Sequence, residues 1–285
     1  MTKERKMKKS KKIFLVILLV IAAAVTAEFI YSNSVIDVEK ISYNNEQIPK
    51  SFDGAVIVHI SDYHSHGGSY EDRLIEKVKE QNPDYVFITG DIIDAKSKDI
   101  DAAKSFLKKV SETAECYLVW GNHDHNVGGE LREQMKKCCE DSGIKVLEDE
   151  TVFLERDGEK ILLAGTSDYL YSDSVDEMMK NYPKEKQFTM WLHHYPEDFK
   201  EIVNMTKQAG CQADLIFTGH AHGGLFRFPF VKGLYATGQG FFPEYTSGKY
   251  ELDGSEMIVS RGVGNSGYTR RFGDNFHLIS VTLGR

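Results

Sequence analysis

Five apolar runs in this chain each end on a cluster of carboxylate, amide or imidazole side chains. They are AVIVHISDYH (55–64), DYVFITGDIID (84–94), CYLVWGNHD (116–124), QFTMWLHHYP (187–196) and ADLIFTGHAH (213–222). Short apolar runs bounded by turn residues read as strands buried on both faces. Between the first three lie amphipathic segments, EDRLIEKVKEQ (71–81), with Leu74, Ile75 and Val78 on one face, and DAAKSFLKKVSE (101–112). Strand–helix–strand units of about 30 residues imply parallel strands joined by crossover helices. A third helix is predicted over ELREQMKKCCEDSG (130–143), with Gly143 as its stop.

The second half reads differently. TVFLERDGEKILLAGT (151–166) is a hairpin about Asp157-Gly158, and EDFKEIVNMTKQAG (197–210) is a helix stopped by Gly210. KYELDGSEMIVSRGVG (249–264) and NFHLISVTLGR (275–285) look like antiparallel strands. The expected fold is an α/β sandwich of two mixed sheets with helices outside. One domain should run from 53 to 285, because no linker-like stretch interrupts it; residues 32–52 read as a linker and an edge strand.

The N-terminus is distinct. Residues 1–12 carry seven Lys/Arg against Glu4, so +6 of a total of −8, which leaves −14 for the remainder. An acidic globular part argues against nucleic acid as the main partner, since phosphate backbones recruit basic surfaces. Ile13 to Ala27 is apolar except for Thr26. Its 15 residues span about 22 Å as a helix, and extension to Tyr31 gives about 28 Å, close to the roughly 30 Å hydrocarbon core. Val25-Thr26-Ala27 also fits a signal-peptidase site. An uncleaved anchor over 13–31 is the preferred reading. In either case the basic tail stays in the cytoplasm and the domain is exported. The four cysteines show no C-x-x-C spacing, and no disulfide framework is expected.

Loops at strand ends are where α/β folds assemble sites. Chance could place His or Asp after one strand, but hardly after five. The ordered set D-x-H, G-D-x-x-D, G-N-H-D, H-x-P and G-H-x-H resembles the calcineurin-like metallophosphoesterases from about Val56 to the C-terminus. The tail from TGHAHGG to YTRRFG is similar to a bacterial membrane-associated branch, which includes enzymes related to UDP-diacylglucosamine pyrophosphohydrolases and cell-envelope phosphodiesterases.

The resemblance implies a calcineurin-like four-layer α/β/β/α sandwich and two divalent ions. Asp62, His64 and His222 would hold the first ion, and Asn122, His194 and His220 the second, with Asp91 bridging. Oxygen and imidazole ligands suit Mn²⁺, Fe or Zn²⁺. Such a pair lowers the pKa of a shared water, so that hydroxide attacks phosphorus in line. The resemblance also implies that His123 faces the phosphate, stabilises its charge and can protonate the leaving oxygen, with Asp124 fixing the imidazole ring.

Other residues have plainer readings. His59 lies inside a strand and reads as a packed core histidine. His66 and His125 read as rim residues. Strand alternation sends His193 to the face opposite His194. Asp94 is a helix cap or an outer partner of the site. Arg261, Arg270 and Arg271 are solvated charges or phosphate contacts. Tyr63 stands where the branch often has Leu, which bears on pocket shape rather than on ligands. The expected substrate is a phosphodiester or pyrophosphate, envelope-, lipid- or nucleotide-linked. A broad-specificity phosphomonoesterase and a non-catalytic binding module on the same fold are the alternatives. A metallopeptidase of the H-E-x-x-H type is excluded because that motif is absent. Oligomeric state is not legible.

Overall fold

The structure, a computed structural model, describes residues 3–167, 169–228, 230, 232–267 and 270–285. The side chains of Lys3, Arg5, Lys6 and Lys8, part of the basic tail, lie outside the described residues.

Helix α1 (Lys3–Ser32) is followed by β1 (Ile36–Asn44), β2 (Val56–Ile60), α2 (Gly68–Lys79), β3 (Tyr85–Thr89), α3 (Ile100–Ser111) and β4 (Glu115–Val119). Then come α4 (Asn122–Asn126), α5 (Gly129–Asp141), β5 (Lys145–Val146), β6 (Glu150–Arg156) and β7 (Glu159–Gly165). The rest comprises α6 (Asp173–Lys180), β8 (Thr189–Leu192), α7 (Phe199–Ala209), β9 (Leu215–Thr218), β10 (Tyr235–Ala236), β11 (Gly240–Phe241), β12 (Gly248–Leu252), β13 (Ser255–Val259) and β14 (Phe276–Gly284).

The first sheet has the order β1-β14-β2-β3-β4-β5, and the second β12-β13-β9-β8-β7-β6. Both are mixed. In the first, β2, β3 and β4 pair in parallel while β14 runs antiparallel to β2. In the second, β7, β8 and β9 are parallel, and the hairpins β6–β7 and β12–β13 close its two sides. The C-terminal strands thus depart from the all-antiparallel expectation, since β13 is parallel to β9 and β14 is parallel to β1. Sequence alternation shows that a strand exists but not which neighbour it takes.

Strand alternation builds the layers. Ile57, Phe87, Tyr117, Leu163, Met190 and Phe217 face the space between the sheets. Val58, Val86 and Leu118 face α2, α3 and α5, while Leu162, Trp191 and Ile216 face α6 and α7. In the middle layer the Phe217 ring meets Phe87 edge-on at 5.3 Å and His59 at 5.2 Å. This is the four-layer α/β/β/α arrangement. The N-terminal helix is longer than its apolar run, because the Lys-rich flank is itself helix-forming. From Lys9 to Ser32 it is long and apolar enough to cross a membrane, and its apolar stretch is exposed, while Ser32 at its end is buried.

Candidate metal centre

The parallel strands deliver their C-terminal ends to one place. The two sheets meet there through His194 Nδ1, which lies 2.6 Å from the carbonyl of Thr89 at the end of β3. That bond puts a His194 proton on Nδ1 and turns Nε2 into the centre. Burial opposes charge on this ring, but Asp91 and Asp62 outweigh it and raise His194 to about 10, so a bound cation would take the place of its Nε2 proton. Asp62, His64, Asp91, His220 and His222 all have φ between 46° and 64°. Left-handed backbone at non-glycine residues costs of order 1–3 kcal/mol each and gathers where a site over-determines it. Each strand must turn sharply as it leaves the sheet, and these residues turn it while aiming their side chains inward. Glycine opens three of the motifs, at Gly90, Gly121 and Gly219, because neighbouring atoms fill the space beside it. A Cβ at Gly121 would collide with Asp91 Oδ1, and one at Gly219 with Ser61 Oγ.

Among the described residues three groups form that could each hold a metal ion: Asp62, His64 and His222; Asp91, His194 and His220; and His64, Asp94 and His123, which shares His64 with the first. In the first, His64 Nε2 and His222 Nε2 are 3.1 Å apart, and Asp62 Oδ1 is 3.3 Å from His222 Nε2. In the second, His220 Nδ1 and His194 Nε2 are 3.1 Å apart. Asp91 Oδ2 lies between these two groups, 3.4 Å from His194 Nε2 and 3.7 Å from His64 Nε2. Asp62 Oδ1 and Asn122 Oδ1 are buried without a hydrogen-bond partner. An orphaned buried carboxylate oxygen is costly, and a cation is the natural partner for it. Oxygen and imidazole donors around converging lone pairs therefore fit divalent metals. Burial holds His64 and His220 down at about 3, keeping them neutral, which is the ligating form. Burial works against the Asp91 carboxylate, but His194, His64 and His123 outweigh it and hold Asp91 well below the usual range.

His123 stands at the rim of this centre. Its Nδ1 accepts the backbone N–H of Ala95 at 3.0 Å, and its Nε2 lies 3.3 Å from Ser266 Oγ. Asp124 does not orient this ring as expected. Its carboxylate accepts the backbone N–H groups of Gly121, Asp91, Ile92 and Ile93, pinning the Asp91 loop to the β4 loop. The carboxylate facing His123 is Asp94, whose Oδ2 is 3.7 Å from His123 Nδ1 and 3.8 Å from His64 Nδ1. Asp94 also accepts the N–H groups of Lys96, Ser97 and Gly267, so it braces a turn rather than capping a helix, since the cap of α3 is Asp99; its place is that of an outer partner beside His123 and His64.

The three arginines separate. Arg270 is exposed and lines a cleft of about 280 Å³ with Asn33, His64, Asp94 and Asn265. Arg261 is paired with Asp37 and Asp274. Arg271 is buried, so it is not a solvated charge. Nη1 meets Asp274 Oδ2 at 3.1 Å, and Nη2 donates to the carbonyls of Arg261 at 2.6 Å and Gly264 at 2.7 Å. Those two bonds use both Nη2 protons, so its 3.2 Å approach to His222 Nδ1 is a packing contact. Arg271 holds the loop behind His222 rather than facing a substrate. Arg271→Met would take from buried Asp274 one of its two arginine partners, leaving Arg261, and would free the carbonyls of Arg261 and Gly264, at an expected cost of about 1.5–3 kcal/mol. Thermal unfolding in detergent checks this, and an unchanged Tm would contradict it.

Of the remaining histidines, His59 is buried against Thr89 Oγ1, and His193 points away from the centre to Thr166 and Asp198. His66 stacks on Tyr70 at the cleft, and His125 bonds the carbonyl of Ser167.

The profile of the Calcineurin-like phosphoesterase family matches residues 55–224, which include every strand end of the centre. The chain belongs to this family. This phosphoesterase is 28% identical to an uncharacterized metallophosphoesterase of Aquifex aeolicus (strain VF5), over 86% of its own length and 91% of the relative's. It is 30% identical to the Bacillus subtilis (strain 168) metallophosphoesterase YkuE, over 79% and 77%. To phosphodiesterase YaeI of Escherichia coli (strain K12) it is 28% identical, over 65% of each chain.

Sequence reasoning missed several contributors to the site. Thr89 and Ala95 act through backbone atoms, which leave no side-chain signal. Ser266 sits in a glycine-rich loop with no periodicity. Asn33 comes from the foot of α1: its amide donates to the carbonyl of Arg271 at 2.8 Å and accepts the Arg271 N–H at 3.2 Å. The first helix therefore ends as part of the wall of the phosphoesterase cleft.

Proposed function

We propose that this phosphoesterase is a membrane-anchored dinuclear enzyme that hydrolyses phosphodiester or pyrophosphate bonds. In this reading Asp62, His64 and His222 hold one ion, Asn122, His194 and His220 the other, and Asp91 both. The observation that carries it is the position of Asp91 Oδ2, within 3.7 Å of a histidine from each group. Mn²⁺, Fe or Zn²⁺ suit these donors. Divalent ions held by these residues would supply Lewis acidity to the phosphoryl oxygens and a water of lowered pKa.

The chain's own residues do the rest. His194 is fixed by Thr89 and Asp91 by Asp124, so the ligand geometry exists before substrate arrives. His123 receives a backbone N–H at Nδ1, so the neutral ring carries its proton on Nε2 and aims it toward Ser266 and the site. A second proton on Nδ1 would face the Ala95 N–H. His123 is therefore a hydrogen-bond donor to the phosphoryl oxygens, an electrostatic role, rather than the proton donor.

Diesters are favoured because space flanks the centre on two sides. The larger cleft reaches the foot of α1, and a smaller cavity of about 80 Å³ is lined by Asn122, His123, His220, His222 and Ser266. The name of the YaeI relative supports the same class. Purified protein with Mn²⁺ should hydrolyse bis-p-nitrophenyl phosphate faster than p-nitrophenyl phosphate; the reverse order would make it a phosphomonoesterase. The basic tail and apolar helix support a single-pass placement with the catalytic domain outside the cell membrane, and the branch resemblance supports a lipid-linked or envelope substrate.

A further inference from the structure

Among the described residues outside α1, nine large apolar side chains are exposed, and six of them fall between Phe226 and Phe242. Phe230 is 99% exposed, and Phe241 and Phe242 about 70%. Scattered exposed hydrophobes are ordinary, but a cluster of aromatics on one short segment marks an interaction surface.

The position of this segment identifies its partner. Phe226 bridges Phe272, and the Phe228 ring lies 6.1 Å from the Phe272 ring. The next residue, Gly273, donates its N–H to Ser32 Oγ at the foot of α1 at 3.0 Å. The Leu234 N–H meets the Phe226 carbonyl, and the Phe242 N–H meets that of Leu234, which carries the aromatic strip out to Phe241. The strip therefore begins where the apolar surface of α1 ends. Two exposed apolar surfaces rooted on the adjacent residues Phe272 and Gly273 call for the same non-aqueous medium.

From this we infer that the aromatic strip of Phe226, Phe228, Phe230, Tyr235, Phe241 and Phe242 is a second membrane contact, lying in the bilayer interface beside the anchor. Aromatic side chains favour that layer. The inference rests on the reading of α1 as a membrane anchor. Its consequence is directional. The cleft lined by Asn33 and Arg270 opens at the same foot, so the site mouth would face the headgroup layer and take phosphoesters presented from it.

The test uses the full chain in vesicles of phosphatidylethanolamine and phosphatidylglycerol with brominated acyl chains, which quench nearby tryptophan. Native Trp120 and Trp191 are fully buried and give a constant background. Three variants are compared: Phe230→Trp in the strip, Leu19→Trp inside α1, and Phe153→Trp on β6, at the far edge of the second sheet. The expected result is a loss of the added emission for Phe230→Trp and Leu19→Trp, and none for Phe153→Trp. Quenching of Leu19→Trp alone overturns the second contact and leaves the anchor standing. If neither is quenched, the anchor reading fails and takes this inference with it. An emission shift at Phe230→Trp that follows protein concentration and ignores brominated lipid means that a second copy covers the strip, which also overturns the inference.

Discussion

Replacing Asp91 by alanine is expected to remove metal and activity together. Its carboxylate faces histidines of both groups, and its other oxygen accepts the backbone N–H of His123 at 2.7 Å. The variant loses a ligand shared by two ions and leaves His194 beside an unanswered cavity. Losing an outer-shell partner alone costs about 10–100-fold in metal affinity or activity; losing the shared ligand should exceed that range. Elemental analysis and hydrolysis rate on the same preparation check it. Two ions retained per chain in Asp91→Ala would contradict the bridging assignment.

His123→Ala should behave oppositely, keeping both ions and the fold while slowing turnover. Removal of one preorganised donor to developing charge costs about 10²–10³-fold in kcat. Because Nδ1 is occupied by the Ala95 N–H, the loss should be the same for a nitrophenyl diester and an alkyl diester. An alkoxide leaving group needs a proton and p-nitrophenolate hardly does. A markedly larger loss on the alkyl ester would show that His123 protonates the leaving oxygen after all, with Asp94 supporting the charged ring. Loss of an ion would mean that His123 is itself a ligand.

Much of this centre was legible because its chemistry sits at the ends of short apolar runs. The runs at 55–60, 84–89 and 115–120 are recognisable strands, so the residues that follow them could be placed at one edge of a sheet. What was not legible depends on long-range contact or on backbone. The family resemblance implied that Asp124 orients the ring of His123. In the structure the four backbone donors of Asp124 lie in two different loops, a long-range arrangement that the local motif does not carry. Arg271 looks like a loop cation, and only the fold shows Asp274 and two carbonyls around it. The α6 helix has just two buried apolar residues, Val175 and Met178, too few to raise a helical period above its polar neighbours. Asn33 and Arg271 are 238 positions apart, and no local pattern predicts their pairing.

The most direct test of the account is metal stoichiometry measured against rate. Chelator-stripped protein would be titrated with Mn²⁺, following hydrolysis of bis-p-nitrophenyl phosphate and bound metal in the same samples. The account predicts no hydrolysis in the stripped protein and a return to a plateau at two ions per chain. Full hydrolysis without metal, or a plateau at one ion, would contradict it.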